Sequence, residues 1–178
     1  MTCLVTVGST LFNDLINEVV SERVVKSLSA MGISSLNIQI GKGSFNSEVI
    51  GRVFDGHGTS ESGSGESFGL RVDYYRYKKS LLDDMKAAKL VIGHAGAGTC
   101  LEVLQIGKPL VVVINSKLMD NHQAELAEAL SERNNLLFCS PETLSTTLNE
   151  ERLDKLAPYK AISQKGFAEW LSDRLNVV

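Results

Sequence analysis

The sequence predicts one doubly wound α/β domain, a Rossmann-like parallel sheet with helices on both faces. Three observations carry this. Short apolar runs at 4–7, 90–92 and 110–114 have the length and continuity of strands buried in a parallel sheet. Between such runs lie segments whose apolar residues recur at intervals of three and four. Twice, at Gly8 and again at Gly93, Gly96 and Gly98, a glycine turn joins strand to helix. With 178 residues, 43% hydrophobic and 22% charged, the chain is a single domain, 1–178, long enough to bury a core.

In chain order, Leu4 to Val7 forms a strand ended by Gly8, Ser9 and Thr10. A helical pattern follows through Leu11, Leu15, Ile16, Val19, Val20, Val24 and Leu28, and Gly32 stops it. Leu36 to Ile40 alternates like a strand. From Gly41 to Gly69 the composition turns to Gly, Ser and Glu, which predicts a flexible loop. That loop holds Gly65, Ser67 and Gly69 in the G-x-S-x-G spacing of a serine-hydrolase elbow. The elbow needs a hydrophobic strand before it and a helix after it, and neither is present, so the match is accidental. Leu70 to Tyr77 is strand-like, and Ser80 starts a short helix through Met85 and Ala88.

The central stretch is Leu90 to Glu102. An apolar strand enters a turn holding Gly93, His94, Gly96, Ala97 and Gly98, and Thr99 with Glu102 fits a capping box for the next helix. Free N–H groups and the positive end of the helix dipole make such a turn an anion site. The plainer reading is a tight strand-to-helix turn with Glu102 as the capping partner and His94 as a loop histidine. The spacing is not G-x-G-x-x-G, since Leu101 stands where the last glycine would fall, and no P-loop lysine follows. In an α/β sheet ligands bind at the carboxyl ends of strands, so the Gly8 and Gly96 turns can face one crevice.

Gly107 and Pro109 then break the chain before the strand 110–114. Asp120 is an N-cap, Gln123 can close its box, and Ala124, Leu126, Ala127 and Leu130 give the helix an apolar face. Asn121, His122 and Gln123 crowd its first turn, either as a water-exposed helix start or as neutral groups suited to sugar hydroxyls. Leu136 to Cys139 is a last strand, and Ser140 with Pro141 begins a helix. An amphipathic helix at about 163–176 places Phe167, Trp170, Leu171 and Leu175 on one face, to pack on the sheet or to dock on a partner.

A net charge of −3 without a Lys/Arg cluster gives no footprint for nucleic acid. No apolar run spans a bilayer, and the N-terminus lacks the charged region of a secretory leader. The three cysteines, Cys3, Cys100 and Cys139, read as reduced thiols in a cytosolic protein; the helix dipole can lower the pKa of Cys100. His94 and His122 lack the companions of a metal site, and D-x-D is missing, so no metal is assigned.

In combination these motifs become specific. Gly93 to Thr99 with Glu102, Gly107 to Pro109 before a valine-rich strand, and Asp120 to Gln123 resemble the C-terminal half of family 28 glycosyltransferases of GT-B architecture. Thr6 to Thr10, Phe12 to Asp14 and Phe167 to Leu171 are similar to the cytosolic donor-binding subunits of two-part N-acetylglucosaminyltransferases of dolichol-linked oligosaccharide synthesis. The resemblance implies transfer of N-acetylglucosamine from UDP-N-acetylglucosamine to N-acetylglucosaminyl-diphosphodolichol, with inversion to a β1,4 linkage. It implies that the backbone of Gly96, Ala97, Gly98 and Thr99 binds the diphosphate with Gly8, Ser9 and Thr10 closing over it, that Glu102 takes the ribose, that Asn121 and Gln123 contact the sugar with His122 between them, and that His94 lies among these substrate-binding residues. His94 is a candidate base, although the base is expected on a membrane-anchored, acceptor-binding partner subunit docked through Phe167, Trp170, Leu171 and Leu175. No tightly bound cofactor and no divalent metal are implied for donor binding. The location implied is the cytoplasm, at the cytosolic face of the endoplasmic reticulum. A nucleotide-sugar-binding module without chemistry, and a self-sufficient hydrolase or epimerase of the same architecture, are the other readings.

Overall fold

The computed structural model describes residues 1–56, 61–115 and 121–159, with the backbone alone at 121–123. In chain order the elements are β1 (Thr2–Thr6), α1 (Asn13–Glu18), α2 (Glu22–Ala30), β2 (Ser35–Gln39), α3 (Ser47–Val53), β3 (Ser62–Ser67) and β4 (Leu70–Tyr75). They continue as α4 (Leu82–Ala87), β5 (Leu90–His94), α5 (Ala97–Gln105), β6 (Leu110–Val113), α6 (Asn121–Glu132), β7 (Leu137–Cys139) and α7 (Leu144–Leu148). The sheet order is β3-β4-β2-β1-β5-β6-β7. All neighbours pair in parallel except β3, which runs antiparallel along the edge of β4.

Side-chain alternation along each strand makes this a three-layer structure. Cys3 and Val5 of β1 pack with α1, α2, α3 and α7, whereas Leu4 packs with α4, α5 and α6 on the other face. Val111 and Val113 of β6 join the first core, and Leu110 and Val112 join the second. Strands buried on both faces have no need of polar residues, which is why the valine-rich runs were readable from sequence.

Two expectations are corrected. The helix predicted through 11–28 is broken into α1 and α2. Ser21 caps α2: its hydroxyl accepts from the Val24 N–H at 3.5 Å and donates to Glu18 at 2.8 Å. A serine that satisfies helix-end donors competes with helix continuation, while Val19 and Val20 stay fully buried. Gly32 does stop α2, with φ +76° and the Ile33 N–H returning to Leu28 O as in a Schellman turn.

The second correction concerns 41–69, where α3 and β3 replace the expected loop. Asn46 caps α3 by accepting the Val49 N–H at 2.8 Å. Phe68 and Gly69, both at positive φ, make the two-residue turn of the β3–β4 hairpin. The small residues are a packing requirement. A Cβ on Gly63 would come within 2.6 Å of the Tyr74 ring, and one on Gly65 would overlap the Val53 backbone. The hairpin ladder uses backbone groups, so a Gly/Ser strand forms where its neighbour buries the apolar surface. Ser67 lies within β3, its hydroxyl donating to Val20 O at 2.7 Å and accepting from Arg52 at 2.8 Å. That strand-turn-strand context carries no nucleophile elbow. The helix expected at 163–176, with Phe167, Trp170, Leu171 and Leu175, lies outside the described residues.

Candidate functional site

The chain leaves the sheet centre from β1, moves outward through β2 to β4, then returns to place β5 on the other side of β1. The switch point therefore lies between β1 and β5, where open α/β sheets bind ligands at their carboxyl ends. Thr6 pairs with Gly93, so the turns following these two strands meet at that point, as the sequence predicts.

The meeting is close. A Cβ on Gly8 would lie 2.9 Å from His94 Cε1, and one on Gly96 would lie 2.6 Å from His94 Nε2. The imidazole thus packs against both glycine turns, and a side chain at either position would require the ring to shift. Gly8 also has φ +59°, a conformation that glycine adopts without penalty. His94 is only 8% exposed and its Nδ1 has no hydrogen-bond partner among the described residues. Burial lowers its pKa below the usual histidine value, partly offset by the Thr6 backbone, so the ring is neutral at neutral pH. Ser9 is exposed, and Thr10 returns its N–H to Val7 O at 3.1 Å.

The capping box expected from Thr99 and Glu102 is not formed. Helix α5 begins three residues earlier, at Ala97, with Gly96 as N-cap and no side-chain cap. A glycine cap leaves the first-turn N–H groups without an acceptor from the cap side chain, and the helix dipole adds positive potential there. Ala97 and Gly98 are exposed and Thr99 is half-buried. A Cβ on Gly98 would meet nothing within 4 Å, so that face of the first turn is open. Glu102 follows Gly98 by four residues, stacks above it on the same helix face, and is exposed. Not engaged in capping, its carboxylate can serve as an acceptor beside the open first turn of α5. Cys100 points into the core, where burial pushes its thiol up to about 12, opposite to the lowering expected from the helix dipole.

Helix α6 starts at Asn121, as the pattern requires. Its connection leaves β6 beside His94, whose strand partner is Val113. Asp120 and the side chains of Asn121, His122 and Gln123 lie outside the described residues. Leu126, Ala127 and Leu130 are buried, so the expected apolar face of α6 is present.

Sequence reasoning missed Gln39. The strand 36–40 was expected, but Gln39 was not singled out; it is 3% exposed, with its carboxamide hydrogen-bonded to Thr6, Gly8 and Arg76. The signal that could have revealed it was its place as the last residue of β2, two positions before Gly41, at the carboxyl end of the strand. A separate cavity of about 590 Å³ opens elsewhere, between Arg52 and the carboxylates of Asp14, Glu18, Glu22, Glu48 and Glu142. It includes no residue of either glycine turn, and its acidic wall repels an anion. No three His, Cys, Asp or Glu side chains cluster as a metal site among the described residues. Nor is any helix among them long and apolar enough to cross a membrane.

Comparison with known proteins places this geometry. The family model described as glycosyltransferase family 28 C-terminal domain matches residues 2–175. The chain is 47% identical over 146 residues to the human UDP-N-acetylglucosamine transferase subunit ALG13, covering 82% of this chain and 12% of that protein. It is 46% identical over 141 residues to the mouse protein of that name, covering 79% of this chain and 11% of that protein. The chain thus spans about a tenth of the length of these mammalian relatives. With the Saccharomyces cerevisiae protein of the same name the identity is 31% over 193 residues, covering 96% of this chain and 94% of that one. Among solved structures, an NMR structure of ALG13 superposes with a TM-score of 0.70 at 24% identity, covering 96% of this chain and 94% of that one. The crystal structure of Acinetobacter baumannii MurG gives 0.55 at 23% identity, covering 84% and 42% respectively. Sheet order, turn placement and the match over nearly the whole chain agree: the chain belongs to the glycosyltransferase family 28 C-terminal domain family.

Proposed function

We propose that the chain is the donor-binding subunit of a heteromeric inverting glycosyltransferase. It transfers N-acetylglucosamine from UDP-N-acetylglucosamine to N-acetylglucosaminyl-diphosphodolichol, forming a β1,4 linkage. The observation that carries the reading is the start of α5, which has no side-chain cap, at the β1–β5 switch point, with Glu102 one turn along. Support also comes from the relatives named as UDP-N-acetylglucosamine transferase subunits.

In this reading the first-turn amides of α5 and the Gly8–Thr10 turn bind the diphosphate, and they stabilise the charge that develops on departing UDP. Glu102 accepts from the ribose hydroxyls, and Asn121, His122 and Gln123 contact the sugar. The buried, neutral His94 spaces the two turns. The base for the acceptor hydroxyl then comes from a membrane-anchored subunit that also presents the lipid, docked through Phe167, Trp170, Leu171 and Leu175. That subunit recruits this chain from the cytoplasm to the cytosolic face of the endoplasmic reticulum.

The test is co-purification from cells followed by assay with UDP-N-acetylglucosamine and a dolichol-linked acceptor. Product is expected only in the presence of a membrane partner, and is expected to vanish on deletion of 163–176. Activity of the purified chain alone would overturn the half-enzyme reading. Binding of donor without catalysis in every membrane complex would favour the non-catalytic module. Because a helix N-terminus neutralises the phosphates in this reading, UDP affinity is expected to stay within about twofold after EDTA treatment. Titration calorimetry with and without chelator checks this, and a collapse of binding would assign the site a cation.

A further inference from the structure

We infer that Gln39 is a positioning residue for the donor diphosphate, its buried carboxamide clamping the Gly8 turn in the shape that faces α5. This rests on the donor-site reading above. All four hydrogen-bonding capacities of the carboxamide are used. Oε1 accepts from the Thr6 hydroxyl at 2.7 Å and from the Gly8 N–H at 2.8 Å. Nε2 donates to Gly8 O at 2.8 Å and to Arg76 O at 2.8 Å. The side chain therefore grips both the N–H and the C=O of Gly8, as a paired strand would.

The grip begins where the ladder ends. The last backbone bond between the β1 and β2 segments runs from Val7 N to Gln39 O at 3.2 Å, and the carboxamide extends that pairing one residue into the turn. The surroundings lock it further. A Cβ on Gly41, which has φ +54°, would overlap the Gly8 carbonyl. The Arg76 guanidinium donates to Gly41 O and Gly43 O, both at 3.1 Å. The turns after β1, β2 and β4 are thereby held as one unit around a single carboxamide. A polar group buried in this way costs free energy unless every atom is paired, and here two of its four bonds hold one glycine. Gly8 in turn lies against the His94 ring, whose Cε1–Nε2 edge also meets Gly96, the N-cap of α5. Gln39 thus sets the distance between the turn and the helix that share the diphosphate.

The experiment compares the wild-type 178-residue chain with Gln39→Leu, which loses all four bonds, and Gln39→Glu, which keeps Oε1 but loses both donors. Amide exchange at Gly8 is followed by NMR, and affinities for UDP and for uridine are measured by calorimetry. In Gln39→Leu the Gly8 amide is expected to exchange at least about tenfold faster. Both variants are expected to bind UDP about tenfold more weakly while uridine, which has no phosphate, changes by less than about twofold. General loosening would weaken UDP and uridine alike, and that result would overturn the inference. So would unchanged Gly8 exchange in a folded Gln39→Leu chain. If Gln39→Leu does not fold, Gln39→Glu with unaltered UDP affinity has the same force. If the wild-type chain binds no UDP, the donor reading itself falls, and Gly8 exchange alone decides whether the clamp exists.

Discussion

Glu102→Ala is expected to weaken UDP binding by about ten- to a hundredfold while leaving the fold intact, the loss of a charge-assisted contact to a ribose hydroxyl being about 1.5–3 kcal/mol. The contrast between binding and stability is the point of the experiment. Glu102 is exposed on α5, beyond the first turn, and the helix is not capped by it. Alanine is also the better helix former, so the melting temperature should fall little or rise. Calorimetric titration with UDP, with a thermal melt of each protein, separates the two effects. Unchanged affinity would remove Glu102 from the site. A large loss of stability would mean that the carboxylate holds the helix rather than a ligand.

Gly8→Ala is expected to damage both properties. At φ +59° an L side chain adds about 1–2 kcal/mol of backbone strain. The new Cβ would also stand 2.9 Å from His94 Cε1, so the buried ring must shift to admit it. Together these predict a stability loss of about 2–4 kcal/mol and at least a tenfold loss of UDP affinity. Gly32→Ala is the control. Gly32 has φ +76° but a Cβ there would meet nothing within 4 Å, so it suffers strain alone. Urea denaturation should show Gly8→Ala to be the more destabilising of the two by about 1 kcal/mol or more. Equal losses, with UDP binding retained, would show that His94 moves aside freely and that the two turns are not coupled.

The two corrections to the elements share a cause. The α1–α2 break rests on one serine whose hydroxyl finds better partners outside a continuous helix, a local choice that apolar periodicity does not register. The 41–69 segment was misread because disorder and tight packing both favour glycine and serine. Gly63 under the Tyr74 ring and Gly65 against Val53 become intelligible only once β4 and α3 are in place. At the site, the wrong helix start had a similar origin: Thr99 and Glu102 satisfy a capping pattern, yet Gly96 takes the cap and leaves Glu102 exposed.

The sequence by itself determined the fold class, the alternation of strand and helix, and the two glycine turns at the ends of β1 and β5. These depend on local chemistry: apolar continuity, helical period and the freedom of glycine. The family motifs around Gly96, Glu102 and Gln123 were legible for the same reason, being short and contiguous. Only the tertiary structure decided that β5 returns beside β1, that His94 fills the space between Gly8 and Gly96, and that Gln39 grips Gly8 across 31 residues of chain. Those contacts join residues distant in sequence. Their free energy comes from burial and from pairing polar groups out of water, neither of which a linear pattern records.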